Sequence, residues 1–127
     1  MPRFSLDTNL PASKIPEEFL DECTSILSNT LGKRRTYCIS TVNPGLKMTL
    51  GGSNEPCGFI QVTCIGNMTP EINNQHIGIL TDYVNKAIGI PKNRIFVNLH
   101  PNEPETTAYL GTTFYQLYYV EKQRRLV

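Results

Sequence analysis

GFIQVTCIGNMTPEINNQHIGILTDYVNKAIGIPKNRIFVNL, residues 58–99, decides the fold. It opens with Phe59, Ile60, Val62, Cys64 and Ile65, an apolar run that predicts a strand whose middle alternates only loosely. Thr69 then stands as a cap with Pro70 preset at the first helical position. Behind them Ile72, His76, Ile79, Leu80, Tyr83, Val84, Ala87 and Ile88 form an apolar stripe at helical spacing. Gly89 and Pro91 end that helix, and RIFVNL at 94–99 predicts the next strand. Connections this short allow only local packing of strand, helix and strand.

The same plan stands upstream. RFSLDT, 3–8, puts Phe4 and Leu6 on one side of an extended segment before Asn9, Pro11 and Ser13 break it. From Pro16, PEEFLDECTSILSNTLG spaces Phe19, Cys23, Ile26, Leu27 and Leu31 as a helix face, with Glu17, Glu18 and Asp21 at its N-terminal end. Gly32 stops it and Lys33, Arg34 and Arg35 follow. YCISTV, 37–42, reads as a strand, NPG at 43–45 as a turn, and LKMTLGGSNEP as an irregular or edge segment. Two such β-α-β units side by side predict an α/β fold, a two-layer sandwich of the α+β kind. Its mixed four-stranded sheet has both helices on one face, with short interface strands added. Apolar residues occupy both parities of the later strands, as at Phe59, Ile60, Ile95, Phe96 and Val97, so the helix-free face is expected to be covered by another subunit. FYQLYYVEKQRRLV, 114–127, predicts an edge strand at a subunit contact that runs into a basic end. Residues 115–127 are read as an extended tail of a single domain over 1–127.

Several function classes are excluded at this level. A formal charge of +1 gives no field for a polyanion, so nucleic acid is not an expected partner. Cys23, Cys38, Cys57 and Cys64 form no CxxC pair and no disulfide-dense pattern, so they read as reduced, partly buried thiols. No run approaches a membrane span and no charged n-region precedes an apolar one, which predicts a soluble, cytoplasmic chain without membrane insertion. His76 on an apolar stripe and His100 at a strand end read as structural, leaving no metal site. Gly51, Gly52 and Gly58 make no phosphate loop.

Pro2 has two readings. It is a plain entry into a strand, or, if Met1 is removed, a secondary amine of modest basicity that no internal proline offers. Lys33 reads as a solvated cation at a helix end, Ile65 as a core residue, and Asn98 as an amide that needs a partner if it is buried.

PRFSLDTNLP (2–11), the GK at 32–33, NPGLKMTLGGSNEPC (43–57), CIG (64–66) and IPKNRIFVNL (90–99) together resemble the macrophage migration inhibitory factor and D-dopachrome tautomerase family, in the tautomerase superfamily. The resemblance covers residues 2 to about 114. It implies a homotrimer with sites at the subunit interfaces, removal of Met1, and Pro2 as general base. It also implies that Lys33 binds the substrate carboxylate, that the backbone amide of Ile65 lies at the pocket, and that Asn98 reaches a substrate oxygen from the adjacent subunit. Phe96 stands where the family carries a pocket tyrosine, and Tyr109 where the migration inhibitory factor rim carries tryptophan; Tyr37 and Phe114 keep aromatic positions seen there. Walls of Tyr37, Phe96, Tyr109 and Phe114 suit a flat, aryl-bearing acid. Cys57 is followed by Gly58, Phe59 and Ile60, so the thiol-redox motif claimed for some members lacks its second cysteine.

The implied activity is a cofactor-independent keto-enol tautomerase, an isomerase of the phenylpyruvate or dopachrome type, acting on small aryl-bearing 2-keto acids. The other implied function is a cytokine-like signalling protein that is secreted without a signal peptide, binds a cell-surface receptor and keeps the pocket only as a vestige.

Overall fold

The structure, a computed structural model, describes residues 1–120. The basic end predicted for the tail, from residue 121 onward, lies outside the described residues. Strand β1 (Arg3–Thr8) leads to helix α1 (Phe19–Leu31) and β2 (Ile39–Asn43); β3 (Gly58–Ile65) leads to α2 (Pro70–Ile88) and β4 (Ile95–Asn102). A short hairpin of β5 (Ala108–Tyr109) and β6 (Thr112–Thr113) follows. The sheet order is β2-β1-β3-β4, with β1 parallel to β2, β3 parallel to β4, and β1 antiparallel to β3. This is the mixed four-stranded sheet with two helices that the repeated pattern predicts.

One face of the sheet makes the core. Phe4 and Leu6 of β1 and Ile60, Val62 and Cys64 of β3 pack against Phe19, Cys23, Leu27 and Leu31 of α1 and Leu80 and Val84 of α2. In β3 burial alternates without a break, a stricter pattern than the sequence suggests, because Phe59 and Ile65 are apolar residues on the side away from the helices. The side chain of Tyr83 ties α2 to α1: its ring stacks on Phe19 at 5.5 Å and its hydroxyl donates to the Phe19 carbonyl and to Glu22.

Helix α2 follows its local signals. Thr69 Oγ1 accepts from the Ile72 amide at 3.3 Å, Pro70 opens the helix, and Gly89 closes it in the left-handed conformation at φ 77°. Helix α1 starts at Phe19 rather than Pro16, since Glu18 at its cap makes no side-chain bond and residues 16–19 form only a turn. Strand β2 starts at Ile39, because residues 35–37 wind into a single 3-10 turn closed by the Cys38 amide on the Arg35 carbonyl.

Two expectations are corrected. The aromatic tail does not add an edge strand: Thr113 Oγ1 takes the Gln116 amide at 3.1 Å, and the chain turns into a π-helical turn over Gln116–Val120. The helix-free face is less apolar than the strand sequences imply, because Ile95, Val97 and Leu99 pack on the core side. The helix-free face instead carries a row of Thr41, Ser5, Gln61 and Asn98, flanked by exposed Ile39 and Phe96.

The GGSNEPC string is held at the far end of the sheet from Pro2. Arg94 donates to the carbonyls of Leu50, Ser53, Glu55 and Pro56. Asn9 donates to the Asn54 and Glu55 carbonyls and accepts from the Cys57 amide at 3.0 Å. Multiple partners of this kind satisfy a loop that has no ladder of its own.

Candidate active site

The ends of three elements meet at one end of the sheet. Pro2 precedes β1 with its ring fully buried, and its carbonyl accepts from the Ile39 amide at 3.0 Å. Gly32 ends α1 at φ 65°, a conformation that costs glycine little, and so turns Lys33 out of the helix. The Lys33 amide donates to the Ser28 carbonyl at 3.1 Å while Ser28 Oγ donates back to the Lys33 carbonyl, so the lysine leaves a fixed backbone. The third end is that of β3, where Ile65 is followed by Gly66 and Asn67, both at positive φ. Asn67 ties this turn to its neighbours: its Nδ2 donates to the Leu31 carbonyl at 2.8 Å, and its own carbonyl lies 3.1 Å from His76 Nε2 on α2.

Between these ends lies a cleft of about 760 Å³, within the usual range for small-molecule sites. Met1, Pro2, Lys33 and Ile65 line it together with the aromatic rings of Tyr37 and Phe114. Arg34 and Tyr118 also line it. Tyr109 stands behind this wall, edge-on to Tyr37 with ring centroids 5.3 Å apart and planes at 76°.

Charge in the cleft is set by burial. The amine of Met1 is held below the usual N-terminal range, chiefly because burial disfavours the ammonium form, and the Lys33 charge adds to this. Burial raises the Cys64 thiol despite the nearby Lys33 charge, and burial followed by the Cys64 neighbour raises Cys38. Both thiols are therefore protonated at neutral pH and add no anion to the cleft. Burial pushes Cys23, in the core, up to about 12. Cys23, Cys38, Cys57 and Cys64 are all free.

Phe96 and Asn98 stand elsewhere. Both are exposed on the helix-free face of β4, Phe96 at 58%. In register Phe96 lies beside Phe59 and, through it, beside Asp7 near the far end of β1. Asp7 is five residues along from Pro2, about 17 Å along a strand, while Asn98, in register with Gln61 and Ser5, is three residues along, about 10 Å. A single copy of the chain thus brings Pro2, Lys33, Ile65, Tyr37 and Phe114 to one cleft and leaves Phe96 and Asn98 outside it. An exposed Asn98 also needs no internal partner.

Sequence reasoning missed Tyr118 and Asn67. Tyr118 was hidden in an aromatic run that reads as a strand, whereas Gly66-Asn67 directly after a strand is a positive-φ turn signal that could have been read. His76 is buried against the Asn67 carbonyl, a structural position. Among the described residues no group of three His, Cys, Asp or Glu side chains is placed to hold a metal ion, and no helix is long and apolar enough to cross a membrane.

Paired β-α-β units with a cleft opening on the chain's own N-terminus define the class of protein, and comparison with known proteins agrees. The sequence model of the Macrophage migration inhibitory factor (MIF) family matches residues 1–115. The macrophage migration inhibitory factor homolog of Trichinella spiralis is 34% identical over 114 residues, 90% of this chain and 100% of that protein. The homolog of Brugia malayi is 35% identical over 114 residues, 90% of this chain and 99% of that protein. The solved Trichinella spiralis structure superposes with a TM-score of 0.86 at 32% identity, covering 88% of this chain and 99% of that one. The factor from Oncomelania hupensis shares the fold at a TM-score of 0.85, with 22% identity over 87% of this chain and 95% of that one. The chain belongs to the macrophage migration inhibitory factor family, within the tautomerase superfamily. That family is of general tautomerase and cytokine-like character, and its members are typically trimers that act on small aromatic keto acids.

Proposed function

We propose that this chain, once Met1 is removed, is a cofactor-independent keto-enol tautomerase of small aryl-bearing 2-keto acids such as phenylpyruvate, with Pro2 as its general base. The observation that carries the reading is the buried N-terminus beside Lys33 in one cleft, where the terminal amine is already held below its usual range by burial and by the lysine charge. Removing Met1 moves the amine to Pro2, which is more deeply buried and faces the same lysine, so the same two causes act on it. An amine free near neutral pH is what abstraction of a proton beside a carbonyl requires.

In the forward direction the Pro2 nitrogen takes a proton from C3 of the keto acid. The C–H electron pair becomes the C2–C3 double bond, the carbonyl pair moves onto oxygen, and that oxygen takes up a proton to give the enol. Lys33 holds the carboxylate, and the Ile65 amide steadies oxygen as charge moves onto it. Phe96 and Asn98, exposed outside their own cleft, are supplied to the site of an adjacent copy in a homotrimer.

The test is the phenylpyruvate tautomerisation rate, with intact mass read on the same sample. Protein that lacks Met1 turns substrate over and protein that retains it does not, because Pro2 nitrogen is then an amide. Equal rates from the two forms remove Pro2 as the base.

A further inference from the structure

The family match ends at residue 115, and the relatives from Trichinella spiralis and Brugia malayi are matched over essentially their whole length within it. The chain continues to 127, so the turn over Gln116–Val120 has no counterpart in those proteins. That turn is placed by hydrogen bonds from three successive backbone amides. The Phe114 amide donates to the Thr107 carbonyl at 2.8 Å, the Tyr115 amide to the Pro104 carbonyl at 3.0 Å, and the Gln116 amide to Thr113 Oγ1 at 3.1 Å. The consequence is that Tyr118 returns to the cleft that holds Pro2 and Lys33.

Its ring lies nearly parallel to that of Phe114, with centroids 5.5 Å apart and planes at 15°. Phe114 is 2% exposed and forms a fixed base for the stack, while Tyr118 remains 52% exposed. A large aromatic surface is therefore left open at a cleft that Lys33 also lines with an ammonium group. A ligand with a ring at one end and a carboxylate at the other meets both.

We propose that Tyr118, from a segment beyond the family match, is the residue that makes this cleft prefer aryl-bearing over alkyl carboxylates, by offering its free ring face to the ring of the ligand. This deepens the tautomerase reading and rests on it for the identity of the substrate. Binding of an aryl acid, however, needs no turnover, which allows the two to be tested apart. Tyr118 is a specificity-determining residue here and takes no part in proton transfer.

The experiment measures dissociation constants of phenylacetate and of pyruvate by ligand-observed NMR. It uses the full chain as wild type and as Tyr118→Ala, Tyr118→Leu and Tyr118→Phe, with phenylpyruvate kinetics on each. An aromatic contact of this kind makes the Ala variant bind phenylacetate about three- to tenfold more weakly. The Leu variant, which keeps apolar bulk without a π face, weakens it as well, and the Phe variant stays within about twofold of wild type. Pyruvate binding moves less than phenylacetate binding in every variant, and the kinetic loss falls on KM. If the Ala variant fails to fold, Leu decides: phenylacetate held as tightly by Tyr118→Leu as by wild type overturns the proposal. A wild type that binds no phenylacetate overturns it too. A wild type without phenylpyruvate turnover, whose phenylacetate binding still depends on an aromatic residue at 118, supports the proposal while removing the tautomerase function. Turnover with binding indifferent to residue 118 does the reverse.

Discussion

Lys33 acts on the cleft in two ways that a single substitution separates. Its ammonium adds to burial in holding the N-terminal amine below its usual range, and under the proposed function it also pairs with the substrate carboxylate. Replacing it with alanine removes a cation beside the amine, which makes the ammonium form easier to keep, so the amine pKa rises. The base is then free only at higher pH, and the acid limb of kcat/KM for phenylpyruvate moves upward. KM rises in parallel by about tenfold, about 1.4 kcal/mol, for the loss of one charge-assisted contact that is open to solvent. A pH profile of Lys33→Ala whose acid limb stays in place, or moves down, shows that lysine does not tune the base. Cys64 does not supply a rival charge, since burial keeps its thiol protonated in the range of that profile.

At the level of elements, the site depends on how the ends of α1 and β3 are joined. Asn67 makes that joint, at φ 57° with its side chain on the Leu31 carbonyl, and an alanine there loses the bond and must still adopt the left-handed conformation. The strain and the lost hydrogen bond together cost about 2 kcal/mol, whereas glycine keeps the conformation and loses only the bond, about 1 kcal/mol. Urea unfolding of Asn67→Ala and Asn67→Gly is expected to show that order, and equal midpoints exclude a strained turn. The same contrast between local and distant causes explains what the sequence reveals. Helix α2 is legible to the residue because Thr69, Pro70 and Gly89 are local signals that the tertiary structure has no reason to override. The tail is not legible, since the Thr113 hydroxyl and the Pro104 carbonyl that turn it are partners no periodicity announces. Between these cases lies β3, where Phe59 and Ile65 look like core residues until the sheet assigns them to the other face.

For the whole molecule, one copy leaves two residues of the predicted pocket stranded. The residues at the cleft, Pro2, Lys33, Ile65, Tyr37 and Phe114, line it together within one copy, so their grouping is a property of the single chain. Phe96 and Asn98 project from the helix-free face of β4, in register with Asp7 and Ser5 of β1, about 17 Å and about 10 Å along the strand from Pro2, and neither lines the cleft. Their place in a site was legible only through the family resemblance, because contacts between copies leave no periodic mark within one sequence. If the proposed trimer shares its sites across interfaces, each whole site takes Pro2 from one copy and Asn98 from the next. The Pro2→Gly chain and the Phe96→Ala/Asn98→Ala chain each lose most of the phenylpyruvate rate alone. Unfolded together and refolded as an equal mixture, they form mixed trimers in which about a quarter of all sites receive both intact halves. The mixture therefore recovers about a quarter of the wild-type rate, well above the mean of the two parents. Native mass spectrometry that finds mixed trimers without that recovery places Phe96 and Asn98 outside the site. A native mass without trimers removes the shared site itself.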